Sequence, residues 1–299
     1  MNMEKFNEYQ RQEIEFGQKS GVDVNIYADP QFNVQQMREI RCGLEEGLDT
    51  SFYADPNFNE YQMSLIRRGL EQGLDVSIFA NPKYNVDQMS ELILSLKKNL
   101  DVSIYADPKF DFYQMREIRE GLETGVDVSI YADPKFYSAQ MGEIRKGLKK
   151  GLDVSVYTNP KFTSWQMQQL RFGLENGVDA SIYANPKYDW AQMAQIRAGL
   201  EQNLDVSVYA DPNFNENQMQ QIRFGLKKDV DVSIYADPEF DWVQMKQVRE
   251  GLEDNVDVSI YAEPEYTAKQ MAEIREKLET QHNRPAVQLN KPTGKGLER

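Results

Sequence analysis

The chain has 299 residues, 40% of them apolar, and a formal net charge of −14. That apolar share supports a sizeable buried core, while the acidity argues against a nonspecific nucleic-acid binder, which needs clustered Lys and Arg, and favours partners with basic surfaces. Cys42 and His282 are the only cysteine and histidine, so neither an intramolecular disulfide nor a Cys/His zinc site can be assembled.

The opening residues, MNMEKFNEYQ, have no apolar leader core, and no stretch of the chain approaches the roughly 18 apolar residues of a membrane span. With a single cysteine, this leads to the expectation of a soluble, cytoplasmic protein.

A half-copy of a repeating unit runs from Phe6 to Val22. Prolines then recur every 26 residues from Pro30 to Pro264, without an insertion. Ten units share the pattern [LV]-D-V-S-I-Y-A-[DN]-P-K-[FY]-[DN]-x-x-Q-M-x-x-I-R-x-G-L-E-x-[GN]. The expected organisation is a capping half-repeat over 1–22, a ten-repeat array over 23–280 and a polar tail over 281–299.

The first half of each unit, DVSIYA, is locally ambiguous. Val, Ile and Tyr favour a strand, and a strand-helix unit of this length would resemble a leucine-rich repeat. Capping grammar favours a short helix instead, because Leu48 before Asp49 and Tyr53 after it have the spacing of a hydrophobic staple. Asp29, before Pro30, is pushed out of the helical region and ends the turn.

The second half predicts a helix of about thirteen residues. Asn33 with Gln36 has capping-box spacing, as do Asp111 with Gln114, Thr163 with Gln166, Asp189 with Gln192 and Asp241 with Gln244. Tyr137 breaks the pattern, with Ser138 as the substitute cap. Gly47, or Asn99, Asn203 and Asn255 in the same column, supplies the left-handed residue of a Schellman ending.

At helical spacing Met37, Ile40 and Leu44 form one apolar arc, which a single unit cannot bury alone. The fold expected is therefore all-α, an α-solenoid: a curved superhelical array of ten two-helix repeats, with a short helix and a helix of about thirteen residues in each.

Three columns carry further expectations. Gly43 recurs as Gly in eight of ten units although Gly costs about 1 kcal/mol in a helix interior, so the next unit's short helix should pack on it; Ser95 and, in the final unit, Lys277 are the exceptions. Arg41 recurs as Arg in nine of ten units, expected as a ladder onto cap or pre-proline Asp residues of adjacent units, with an anion-binding row as the alternative and Ile93 as the one departure. At the ends, Arg11 and Gln18 replace the Met and Leu of the core, and Gln281, His282 and Asn283 replace the start of another unit.

Candidate chemistry is sparse. Asp101, Asp107 and Asp111 read as two helix caps and a turn residue, and the D-x-[DN]-x-[DN]-G spacing of a calcium loop is missing. The Ser column at Ser77 and Ser103 has no histidine to activate it, so no catalytic residue, metal or cofactor is expected.

What varies is a stripe on the long helix, the columns of Val34, Gln35, Arg38 and Cys42. It holds Tyr61, Phe112, Tyr113, Trp165, Phe172, Trp190, Phe224 and Trp242, all three tryptophans of the chain included, beside Arg68, Arg116 and Lys246. Aromatic anchors next to Arg suit a protein interface, although packing against a neighbour accounts for the same pattern.

The helix end in GLETGVDVSIYA looks like the corresponding stretch of ankyrin repeats, but the period is not 33 and T-P-L-H is missing. With its Y-A-D-P and Q-M-x-x-I-R-x-G-L motifs, the unit resembles more closely the repeat arrays of uncharacterised bacterial and mobile-element proteins. That resemblance covers residues 6–280 and implies no activity.

The expected function is a non-enzymatic scaffold that binds a protein or peptide, basic ones included, along the variable face. The alternative is an acidic decoy that mimics nucleic acid, resting on the charge of about −17 left when the tail's +3 is set aside. An enzyme would require one unit whose cleft differs from the other nine.

Overall fold

The computed structural model describes residues 3–282. Among them are eleven α-helices and no strand: α1 (Glu8–Ser20), α2 (Val34–Glu45), α3 (Glu60–Glu71), α4 (Val86–Lys97), α5 (Phe112–Thr124), α6 (Ser138–Lys149), α7 (Ser164–Glu175), α8 (Trp190–Leu200), α9 (Glu216–Lys227), α10 (Trp242–Glu253) and α11 (Ala268–His282). The chain forms two compact units, one ending at Met167 and the other beginning at Gln168. Within the first unit α1 packs on α2, α2 on α3, and so on to α6; within the second, α8 packs on α9, α9 on α10 and α10 on α11. The fold is all-α, an α-solenoid of helix pairs stacked on their neighbours in sequence.

The short segment is helical in every repeat but the one that follows Ser95, and it is one turn of 3-10 helix such as Val24–Ile26 or Thr50–Phe52. In both, the tyrosine that follows, Tyr27 or Tyr53, ends the turn as its C-cap. A single turn suffices because the Asp side chain accepts the amide two residues on, as Asp49 does from Ser51 at 3.0 Å, and the chain must then enter the Asp-Pro turn. In that turn Phe58 N–H donates to Asp55 O at 3.0 Å while the Asp55 carboxylate accepts from Asn57 N–H at 2.9 Å, with Pro56 at the position whose φ the ring pre-sets.

The long helices start on capping boxes. Gln36 N–H donates to Asn33 Oδ1 at 2.9 Å, and Asn33 N–H donates to Gln36 Oε1 at 2.6 Å. At Tyr137 only the glutamine half survives: Gln140 Oε1 accepts from Tyr137 N–H at 2.7 Å, and the Gln140 amide turns to the Tyr137 carbonyl. The substitute cap expected at Ser138 does not form; Ser138 is the first residue of α6. The helices end as expected, with Gly47 at φ 71° and Leu48 N–H donating to Gly43 O at 2.8 Å. Asn99, Asn203 and Asn255 take the same left-handed conformation, and so does Asp229.

The core consists of Met37, Ile40 and their equivalents, together with the buried tyrosine after each short turn. Leu44 was expected in the same arc, yet it is only half-buried. Its column faces a surface groove instead. In the first unit Leu148 lines a cleft of about 430 Å³ with Ile130, Leu152, Val154 and Thr158.

The glycine column is where consecutive repeats meet. A Cβ on Gly43 would lie 1.9 Å from the Tyr53 hydroxyl, and the geometry repeats at Gly17, Gly121, Gly147, Gly173, Gly199, Gly225 and Gly251. A side chain there would have to displace the tyrosine ring, so the helix-propensity cost of glycine is offset by closure of the joint. At the exception Ser95, the Tyr105 hydroxyl pairs with the serine Oγ, and the following segment is a bare turn rather than a 3-10 helix. Lys277, in the last repeat, is exposed.

At the beginning of the chain Arg11 is exposed, its Nε donating to Met3 O and Phe6 O at 2.9 Å, and Gln18 is exposed as well. Asn283 and the rest of the polar tail lie outside the described residues, as do the side chains of Gln281 and His282.

Candidate functional site

The variable stripe is sorted by the way helices pack. Its positions in the second half of a long helix lie beside a ladder of arginines, and those in the first turn do not. The aromatic residues divide accordingly. Tyr61, Tyr113 and Trp165 in the first unit, and Trp190 and Trp242 in the second, occupy the first two helical positions and are 42–66% exposed. Phe112, also at a first position, is half-buried and stacks on Tyr113, with ring centroids 4.8 Å apart at 57°.

Phe172 and Phe224 stand in the second half of their helices and are half-buried. Guanidinium groups flank each ring. Arg171 and Arg197 lie 4.6 and 5.8 Å from the Phe172 centroid, and Arg223 and Arg249 lie 4.9 and 5.8 Å from that of Phe224. These two rings belong to the joints between helices. Arg68 is exposed, Arg116 is exposed with Glu120 3.7 Å away, and Lys246 lies 3.7 Å from Glu250.

One further aromatic residue, at the position where the capping pattern breaks, lies at a helix start of the first unit. Tyr137 is 77% exposed. It borders a cleft of about 310 Å³ between the starts of α6 and α7, lined also by Gln140, Pro160, Phe162 and Thr163. Its position before the helix, outside the four columns compared, hid it.

The arginine ladder pairs differently from expectation. Arg41 Nε donates to Glu13 on the preceding helix at 2.9 Å, and its Nη1 pairs with Glu45 on its own helix at 2.8 Å. Arg67 repeats this with Glu39 at 2.9 Å and Arg119 with Glu91 at 2.6 Å. The partners are Glu residues 28 earlier and four later, not the Asp residues, because those carboxylates are occupied in capping the next turn or helix. Burial alone would lower the pKa of Arg41, but its hydrogen bonds to Glu45 and Glu13 outweigh it and raise the value.

From Arg197 onward the earlier residue is glutamine: Gln169 accepts from Arg197 at 3.2 Å, Gln195 from Arg223 at 3.0 Å and Gln221 from Arg249 at 3.1 Å. Ile93, the one departure from arginine, has its explanation here. The position 28 residues before it is Leu65, so both ends of that rung became apolar together.

The Asp residues weighed for calcium are in use. Asp101 accepts from Ser103 N–H, Asp107 from Lys109 N–H and Asp111 from Gln114 N–H, at 2.8–3.0 Å. Among the described residues no cluster of three His, Cys, Asp or Glu side chains stands in metal-holding geometry. Ser77 donates its hydroxyl proton to Asp75 at 2.5 Å as part of the same cap. Among the described residues no helix is long and apolar enough to cross a membrane.

Comparison with protein-family models, with curated proteins and with solved structures yields no match.

Proposed function

We propose that the protein is a non-enzymatic repeat scaffold that takes a protein or peptide partner against the edge that the starts of the long helices form within a unit. The observation that carries this reading is the exposure of Tyr61, Tyr113 and Trp165 in one unit and of Trp190 and Trp242 in the other. Large rings kept in water at the first or second position of several helices lose hydrophobic stabilisation that packing would have supplied, and Trp and Tyr are the residues that anchor protein interfaces. The cleft beside Tyr137 has room for a side chain of an extended segment.

The test is capture from the native cell with the wild-type chain and with Trp190→Ala/Trp242→Ala. Loss of a partner with an unchanged melting curve supports the reading. A large drop in melting temperature in the double variant, with the partner retained, sinks it.

A second reading, an acidic decoy for a basic site, is favoured by the exposed cap aspartates. Asp49, Asp101 and Asp153 recur in the first unit at multiples of the period, each exposed and each held below the usual carboxylate pKa by hydrogen bonds from the following serine. Neutralising the three to Asn should abolish competition with nucleic acid for a basic protein if this reading is right.

A further inference from the structure

Every arginine of the ladder but one keeps a carboxylate. Where the earlier partner is Gln, the residue four positions on is Glu: Arg197 has Glu201 and Arg249 has Glu253. Where the later residue is Lys, the earlier partner remains Glu: Arg145, followed by Lys149, pairs with Glu117 at 2.9 Å and with Glu120 at 2.7 Å. Where the arginine is lost, at Ile93, the earlier Glu is lost too. The substitutions compensate one another along the chain.

Arg223 breaks the rule. Its earlier partner is Gln195, its later one Lys227, and Ala198 stands where Glu120 serves Arg145. Among the described residues no carboxylate lies in ion-pair range of it, and the amide oxygen of Gln195 is the acceptor it meets, through Nε. The guanidinium is half-buried and lies 4.9 Å from the Phe224 centroid. Burial holds its pKa below the usual arginine value, opposite to the shift at Arg41 and Arg67. Lys227 and Lys228 beside it are exposed.

We propose that Arg223, with Phe224 beneath it, is a receptor for a carboxylate side chain of a bound protein or peptide. The missing counter-charge of this one rung is then supplied from outside. A guanidinium already fixed by Gln195 through Nε has its two terminal nitrogens left for the two oxygens of an incoming Glu or Asp, the fork geometry that makes such pairs strong. A carboxylate suits the place because each of the other arginines of the ladder is closed by one. This deepens the proposed function and rests on it, naming an acidic position in the partner.

The test uses two labelled, C-terminally amidated peptides, Gly-Phe-Glu-Phe-Gly and its Gln counterpart, titrated into the full chain at low salt. The wild type should bind the Glu peptide about tenfold more tightly than the Gln peptide, and Arg223→Gln should erase the preference. Lys227→Glu restores the missing partner within α9, so it should erase the preference as well while leaving the chain at least as stable as the wild type. The proposal is overturned if the wild type does not discriminate, if Lys227→Glu still does, or if equimolar phosphate displaces the Glu peptide. Because the readout is a ratio on one protein, failure of the aromatic edge, which lowers both affinities together, is distinguishable from failure of this site, which removes the ratio alone.

Discussion

The Tyr53 hydroxyl lies 1.9 Å from the point where a Cβ on Gly43 would stand, and it donates to Glu39 O at 3.3 Å. One atom thus closes the joint by both shape and hydrogen bonding. Gly43→Ala should destabilise the chain by about 1–2 kcal/mol, the overpacking cost exceeding the roughly 1 kcal/mol gained in helix propensity. Combining it with Tyr53→Phe should recover part of the loss, since at the natural Gly69–Phe79 joint a Cβ would be 2.8 Å from the ring instead of 1.9 Å from a hydroxyl. Denaturant unfolding of the three variants measures this, and a stabilising Gly43→Ala would show the joint to be loose.

Gln114 has two tasks. Its Oε1 accepts from Asp111 N–H at 2.7 Å, and its Nε2 donates to Phe136 O on the next repeat at 2.6 Å and to Pro134 O at 3.1 Å. Gln114→Ala should cost about 1–3 kcal/mol by leaving buried carbonyls unsatisfied. Gln114→Glu should cost more near neutrality, since a carboxylate would face those carbonyls. A carboxyl disfavoured in its charged form has a raised folded-state pKa, so the extra loss should vanish below about pH 4 and appear as pH rises. Comparing both variants with the wild type across pH checks the sign.

Leu65 and Ile93 occupy, 28 residues apart, the positions that Glu and Arg hold in the first rungs of the ladder. Ile93→Arg alone should destabilise, because it places a charge opposite Leu65 with Lys97 as its neighbour four residues on. Adding Leu65→Glu should restore much of the loss. A double-mutant cycle giving a coupling of about 1 kcal/mol or more supports the pairing, and additivity counts against it.

High pH should unfold the array cooperatively. Burial pushes Tyr27 and Tyr105 up to about 12 from an ordinary value of 10.0, and Tyr53 and Tyr131 are raised further. Because the unfolded phenol ionises first, the stability these groups contribute is whole below about pH 10 and is lost as pH climbs through their folded values. Phenolate absorbance and helical circular dichroism, followed together, should change in one step. Separate titration of the buried tyrosines with the helices intact would contradict this.

Much of the fold was legible because a period of 26 prints each structural requirement ten times. The capping pairs Asn33–Gln36, the left-handed Gly47 and the crowded Gly43 each follow from one local constraint. The arginine partners were not legible in the same way. Which of several carboxylates reaches Arg41 depends on the offset between neighbouring helices, and that offset is not written in either helix alone. For the same reason Phe172 and Phe224 looked like the exposed tryptophans in the sequence, although guanidinium groups flank them. Tyr137 escaped notice because its cap position was read only for the hydrogen bond it fails to make.

The inter-repeat bonds also keep constant offsets, as from Gln36 to Phe58 and from Gln114 to Phe136. An in-phase exchange between two copies of the gene segment within either unit would therefore excise or insert whole modules and still leave each glycine opposite a ring and each glutamine opposite a carbonyl. Array length is, on these grounds, the property of this molecule that recombination can change at the smallest structural cost.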